Sequence, residues 1–320
     1  MKSNNVSVFF PGFTRKSLTF TIDDGNLKYD GPFLDILRPA GIKGTFNLCA
    51  PTRATAEEYR AFYEGYEIAN HCKNHPMCFD DGQRFVISDE PFDKMTSEEF
   101  TEENPVVYRT ETEGIYRIHN IPSRQRPDGW FSITTCDDYF RFARETRREL
   151  EEIFGEGSIK GFVWPYREQS NARLFELLKS DGYNSIRKTG LTTDSTGFAL
   201  PEDRTRWSYN ANCNNLLELM AKYESYPDDK ELKFFCFGVH SFDFERAEKW
   251  DDLREFARLY GNRPSDFWYA TVSEIFEYED AARSLVITEG SVENPSPITV
   301  YLEINGEKRT LAPGEIFNIS

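Results

Sequence analysis

Short apolar runs of strand type recur along the chain with amphipathic stretches between them. Leu18 to Ile22, Gly44 to Leu48, Tyr66 to Ala69, Lys160 to Val163, Tyr183 to Ile186 and Phe234 to Val239 are β-branched or aromatic and are bounded by Gly, Pro or Asp, which predicts strands. Helical periodicity fills the intervals. It covers Phe33 to Leu37 (closed by Pro39 and Gly41), Glu57 to Glu64, Asp137 to Phe154 (ending at Gly155), Ala172 to Lys179 and Asn215 to Glu224, and then Leu253 to Tyr260 and Ser273 to Arg283. The alternation predicts an α/β fold in which a parallel sheet is wrapped by helices, as a barrel or a doubly wound sheet.

Two regions break the rhythm. From about residue 79 to 130 the chain carries acidic and Pro-containing loops around an expected hairpin, Val106 to Ile121. That is too long for an ordinary connection and reads as a functional insertion, a lid or a wall. After Arg283 the pattern turns to β, with Val286 to Thr288, Ile298 to Ile304, the Asn305-Gly306 turn signal and Arg309 to Ile319. The expected organisation is a main domain over residues 1–288 and a small β tail over residues 289–320 packed on it.

Charge narrows the function. With 38 Lys and Arg against 54 Asp and Glu the net charge is −16, and so acidic a surface repels phosphate backbones and anionic headgroups. Neither a nucleic-acid nor a membrane partner is expected, and no window approaches the ~18 apolar residues of a spanning helix. The start, Met1 to Asn5, leads into Phe9-Phe10-Pro11 with no signal-peptide core, so the chain reads as cytoplasmic, with action on extracellular or cell-wall polymers as the alternative. The 6 cysteines show no paired spacing, which favours reduced thiols. There are only 4 histidines, His71, His75, His119 and His240, so any imidazole chemistry falls to them.

In α/β sheets and barrels functional groups gather at the carboxyl ends of strands. Here those ends read Asp23-Asp24-Gly25 after the first strand, Asn70-His71-Cys72-Lys73-Asn74-His75-Pro76 after the third, Trp164-Pro165-Tyr166 after the fourth and His240 after the last. Taken singly, each has a plain reading: a turn, a chance pair, a packed aromatic with a rigid proline, a rim histidine. His119, inside the insertion, reads as structural. Together they put three histidines and a twin carboxylate on one rim. His71 and His75 are four apart, which lets a helix face or a turn direct both to one ion. One carboxylate and two imidazoles make a hydrolytic rather than structural site; Zn²⁺ is the default, and Co²⁺, Ni²⁺ or Mn²⁺ also fit. Neighbouring residues on a regular strand face opposite ways, so Asp23 and Asp24 share a site only if the strand end kinks, a freedom that Gly25 supplies.

These motifs resemble the polysaccharide deacetylases with the NodB-homology domain, metal-dependent carbohydrate esterases. Leu18 to Gly25, Gly41 to Phe46, Tyr66 to Pro76, Phe162 to Tyr166 and Val239-His240 carry the likeness, over roughly residues 15–285. The resemblance implies a distorted (β/α) barrel of about seven strands. It implies Asp23 as catalytic base, Asp24, His71 and His75 as metal ligands and His240 as general acid, with Trp164, Pro165 and Tyr166 beside the substrate and the Tyr166 backbone N–H at the oxyanion. The expected activity is removal of N-acetyl or similar acyl groups from amino sugars or their oligomers. Two alternatives stand beside it: hydrolysis of a cyclic amide or imide of a small nitrogenous metabolite, as in allantoinase-like relatives, and a non-catalytic carbohydrate-binding relative. The chain departs from the family pattern at three places. Val163 stands where an Arg pairs with the base, Cys72 stands where Ser or Thr holds the histidine loop, and the Asp that supports the acid histidine has no clear match. Arg167 or Arg187 are the replacements considered for the first, and Asp194 or Asp243 for the last.

Overall fold

Alternation along Leu18-Thr19-Phe20-Thr21-Ile22-Asp23 dictates a strand with one apolar and one polar face. The computed structural model, which describes residues 5–51, 54–89, 106–119, 127–191 and 198–319, places this strand, Lys16–Asp24 (β1), in a parallel barrel. Its partners are Thr45–Leu48 (β2), Glu67–Asn70 (β3), Gly161–Val163 (β4), Ser185–Leu191 (β5), Trp207–Tyr209 (β6) and Lys233–His240 (β7). The order is β6-β5-β4-β3-β2-β1-β7, and every pairing along it is parallel. The chain after β6 closes the ring on β7, where Asn210 N donates to Cys236 O at 2.7 Å and Gly238 N donates to Ala211 O at 2.9 Å. A side chain at Gly238 would run into the Tyr209 ring, so this seam needs glycine.

The apolar face of β1 looks outward to the helices. Phe20 packs against Phe33, Phe46 and Phe237 with ring centroids 5.1, 5.5 and 5.6 Å apart, and Phe237 in turn meets Phe256. Helices Leu27–Leu37 and Trp250–Tyr260 thereby bury their apolar stripes on the barrel wall. The polar face of β1 fills the interior, where Thr21 and Asp23 both accept from Asn47 Nδ2 at 2.7 Å. This is the distorted (β/α) barrel of about seven strands that the sequence implied. Two strands differ from expectation. β6 has three residues, too short for a periodic signal, and β5 runs past Ile186 to Leu191.

The expected hairpin in the insertion forms from Val106–Arg109 and Tyr116–His119, with Tyr108 opposite Arg117; its last residue, Ile121, lies outside the described residues. It belongs to a five-stranded sheet that also takes in Met77–Cys78, Val86–Ser88 and Trp130–Thr134. Phe79, Val107, Ile118, Phe131 and Ile133 form the sheet's own core, and Tyr166 packs against it. At the other end of the chain, Val300–Ile304 and Glu307–Leu311 pair across the Asn305-Gly306 turn, and the N-terminal strand Val6–Phe9 completes that sheet. A second sheet joins Val286–Ile287, Ser291–Glu293 and Ile316–Asn318. All 6 cysteines are free thiols. Among the described residues, no helix is long and apolar enough to cross a membrane.

Candidate active site

The carboxyl ends of β1, β3 and β7 and the turn after β4 bring Asp23, His71, His75, Tyr166 and His240 around one cavity of about 250 Å³. Backbone strain makes this convergence possible. Asp24 itself takes φ 77° and Gly25 takes φ 65°, so the kink begins one residue earlier than Gly25, and a side chain at Gly25 would strike Leu48. The turn rotates Asp24 toward the histidines while Asp23 stays on the interior face.

His71 and His75 converge through a turn, not a helix. Cys72, Asn74 and His75 have φ of 53°, 65° and 43°, and His75 N donates to Cys72 O at 3.1 Å. The loop has three anchors. Cys72 N donates to Asn70 Oδ1 at 2.8 Å, Lys73 N donates to Thr146 Oγ1 at 2.8 Å, and Asn70 Nδ2 donates to Ala143 O and to Tyr183 Oη. Asn70 and Thr146 thus fasten a loop in which Cys72 contributes only a long 3.9 Å contact from Sγ to Tyr139 O.

Asp24 Oδ1 lies 3.4 Å from Nε2 of both His71 and His75, is buried and has no hydrogen-bond donor. His71 Nδ1 is 2.9 Å from Val163 O; a proton there serves that carbonyl and leaves Nε2 as a lone pair. Burial, with the His71 imidazole beside it, brings His75 down to about 3 and keeps it neutral. For Asp24, burial favours the acid, but the imidazoles of His71, His240 and His75 that face it outweigh burial and hold the carboxyl well below its ordinary value. An orphaned carboxylate oxygen facing two imidazole nitrogens, all within 4.8 Å of one another, fits a divalent cation with an N₂O donor set.

Two further groups flank this triplet. Asp23 is buried and accepts from Arg187 Nη2 and from Asn47 Nδ2 (2.7 Å), both on Oδ1. Burial raises its pKa, but Arg187, His71 and His240 more than offset this and keep it a carboxylate. β5 and β1 are three strands apart, so the Arg187–Asp23 bond crosses the barrel interior. The other group, His240, holds Asp243 Oδ2 at 2.9 Å through Nδ1 and stacks on Phe242. Burial lowers its pKa, but the Asp243 hydrogen bond and the Asp24 and Asp23 charges prevail and push it up to about 9. A neighbouring pair of titratable groups is therefore split into a carboxylate and an imidazolium, the division that base and acid require.

The structure answers both substitutions left open by the sequence. Arg187 occupies the register position beside Val163 on the adjacent strand, and Arg167 makes no bond to Asp23. Asp243, on the first turn after His240, supports that histidine; Asp194 lies outside the described residues. Asn47 was missed altogether, although a lone amide near the carboxyl end of an otherwise apolar strand is a readable signal. His119 sits on the insertion sheet against Trp130 at 5.0 Å. Trp164 is buried against Phe162 and Tyr139, and Tyr166, at φ 60°, lies 4.5 Å from the His75 ring. Pro165 O accepts from Gln169 Nε2 at 3.2 Å.

Behind His240, Asp30 is fully buried and accepts from Ser241 Oγ at 2.5 Å and Tyr63 Oη at 2.7 Å. Burial raises its pKa to about 7, helped by the Asp24 charge. The folded state therefore keeps this proton longer than the unfolded chain, whose aspartates titrate near ~4. Its contribution to stability is fully present below ~4 and is lost as pH rises through about 7. Urea unfolding of the chelator-treated protein at pH 5 and pH 8 should show a fall that Asp30→Asn reduces. An identical fall in both proteins would show that Asp30 is not the group responsible.

A family model described as polysaccharide deacetylase matches residues 11–112. No curated protein matches the chain. Among solved structures, the chain is similar to the Xyl-CE4 domain of a multidomain xylanase from the hindgut metagenome of Trinervitermes trinervoides, at 18% identity over 83% of this chain and 92% of that one, TM-score 0.45. It is also similar to a family 4 acetyl xylan esterase from Clostridium thermocellum in complex with cobalt (15% identity, 83% and 92%, TM-score 0.42). A peptidoglycan deacetylase from Bacillus subtilis is similar at 14% identity over 84% and 95%, TM-score 0.42. The family match takes in Asp23, Asp24, His71 and His75 and ends before Tyr166, Arg187 and His240. The family matched over residues 11–112 is the one that the sequence motifs resemble.

Proposed function

We propose that the protein is a metal-dependent hydrolase that removes N-acetyl or a similar acyl group from an amino sugar or its oligomer. The observation that carries this reading is the meeting of three distinct chemistries: His71 and His75 of the Asp24-His71-His75 donor set line one small cavity together with the carboxylate of Asp23 and the charged imidazole of His240. Asp24, His71 and His75 would hold the cation, with Zn²⁺ the default. When bound it supplies a lowered pKa for a coordinated water and polarisation of the amide carbonyl.

The protein's own groups do the rest. Arg187 and Asn47 engage Oδ1 of Asp23, so Oδ2 is the oxygen left to take the proton of the attacking water. Arg187 keeps that carboxylate ionised without metal contact. His240, oriented through Nδ1 by Asp243, presents Nε2 to the leaving nitrogen and donates its proton as the C–N bond breaks. Tyr166 closes the cavity beside His75, and its backbone N–H is the donor for the oxyanion. Acetate and the free amine are the products.

Deacetylase assays on chitooligosaccharides test the reading. Chelator treatment should reduce turnover to background, and Zn²⁺ or Co²⁺ should restore it. Turnover that survives removal of the metal would eliminate the role given to Asp24, His71 and His75. Hydrolysis of small cyclic amides in place of acetylated sugars would favour the nitrogenous-metabolite alternative.

A further inference from the structure

The Arg187–Asp23 pair is closed by one bond where two are available. Arg187 Nη2 donates to Asp23 Oδ1, which also accepts from Asn47 Nδ2 at 2.7 Å, and among the described residues no donor engages Oδ2. A guanidinium facing a carboxylate ordinarily forms a fork, with two parallel N–H groups on the two oxygens. The fork fixes its own orientation, whereas a single bond leaves the guanidinium plane free to turn about it. The other polar atoms of Arg187 do not restrain it: Nη1 reaches only Lys188 O, at 3.4 Å, and Nε is buried with no hydrogen-bond partner.

Tyr209 supplies the missing restraint. Arg187 Cζ lies over the Tyr209 ring, 5.3 Å from its centroid, within the ~6 Å reach of a cation–π contact. Arg187 is fully buried, and desolvation strengthens such a contact relative to one at the surface. The ring in turn has nowhere to retreat, because it rests on the backbone of Gly238, where even a Cβ would collide with it. β6 thus delivers the ring and β7 the surface beneath it, so the seam that closes the barrel also sets the place of the guanidinium. The same Tyr209 lines the catalytic cavity together with Asp23 and His240.

The consequence falls on Oδ2 of Asp23. In the hydrolase reading proposed above, on which this role depends, that oxygen takes the proton of the attacking water, and it can do so only while no N–H group occupies it. We infer that Tyr209 is a positioning residue for the base: its ring holds Arg187 to a single-oxygen contact and thereby keeps Oδ2 open. Without the ring the guanidinium turns into the two-oxygen fork, which strengthens the ion pair and blocks the base. Tyr209 therefore acts through Arg187 and not by contact with the reacting atoms.

Tyr209→Leu and the longer Tyr209→Met both remove the ring, so a packing defect peculiar to one does not decide the outcome; Tyr209→Phe keeps it. With chitotetraose as substrate, each aliphatic variant should lower kcat by about thirtyfold or more, toward the loss of a general base, and leave KM within about threefold. Tyr209→Phe should be at least about tenfold faster than either. A raised KM with kcat unchanged would make the ring a wall of the cavity and nothing more, and would overturn the role, as would a Tyr209→Phe protein as slow as the aliphatic ones. Crystal structures of the chelator-treated wild-type and Tyr209→Leu or Tyr209→Met proteins decide the geometry without any turnover. An Arg187 N–H group within hydrogen-bond distance of Asp23 Oδ2 in the variant alone supports the role, even if no acetylated sugar is hydrolysed and the hydrolase reading fails. That contact in both proteins, or in neither, would overturn it.

Discussion

Asp23→Asn is expected to lower kcat about 10²–10⁴-fold, the range that a positioned general base contributes, with bound metal unchanged. Asparagine keeps the shape of the side chain and can still accept at Oδ1 from Arg187 and Asn47, so the barrel interior should remain intact. What disappears is the basic oxygen. Kinetics and metal analysis on the same preparation give the answer. Loss of the metal would mean that Asp23 and Asp24 have exchanged roles, and near-normal turnover would remove Asp23 from the chemistry.

Arg187→Leu should strike both stability and rate. Arg187 is buried and its partner Asp23 is nearly so, and removing one member of a buried pair costs about 3–5 kcal/mol because the other charge is left uncompensated. Asp23 would then gain a proton more readily, and the fraction of enzyme with an active base would fall. A structural role alone would give the same loss of stability, so rescue is the deciding measurement. Val163 and Arg187 are register partners on β4 and β5, and their side chains therefore share a face. Adding Val163→Arg to Arg187→Leu restores a guanidinium at the neighbouring position, which is where the family resemblance expects one. Recovery of kcat at least tenfold above the single variant is the expected result. A double variant as slow as Arg187→Leu, but with recovered stability, would show that Arg187 only supports the fold.

Most of the candidate site was legible because its signals are local. Asp23-Asp24-Gly25 and the His71/His75 spacing each fall within a few residues and follow recognisable strands, so neither needs knowledge of the fold. The supporting groups were harder to assign. Arg187 followed the expected strand end at Ile186, and only the extension of β5 to Leu191 puts it inside the barrel. Asp243 was one of two choices for His240, and a hydrogen bond three residues away in sequence was no stronger a signal than a distant carboxylate. Cys72 looked like a weak point in the histidine loop, yet Asn70 and Thr146 hold that loop instead, and Thr146 comes from the long helix Cys136–Phe154.

The sequence by itself determined the alternation of strand and helix, an α/β class in which a barrel and a doubly wound sheet stayed open until the family resemblance pointed to the barrel, and the identity of the groups able to bind a cation or move a proton. Periodicity and strand-end chemistry are properties of neighbouring residues, and a single chain displays them directly. Tertiary structure alone decided which arginine reaches Asp23, how the strained turn at Asp24 aims its carboxylate, and which ring packs over that arginine. Those outcomes depend on closure of the β6–β7 seam and on side chains crossing the interior between strands that are distant in sequence, and short-range patterns do not encode such contacts.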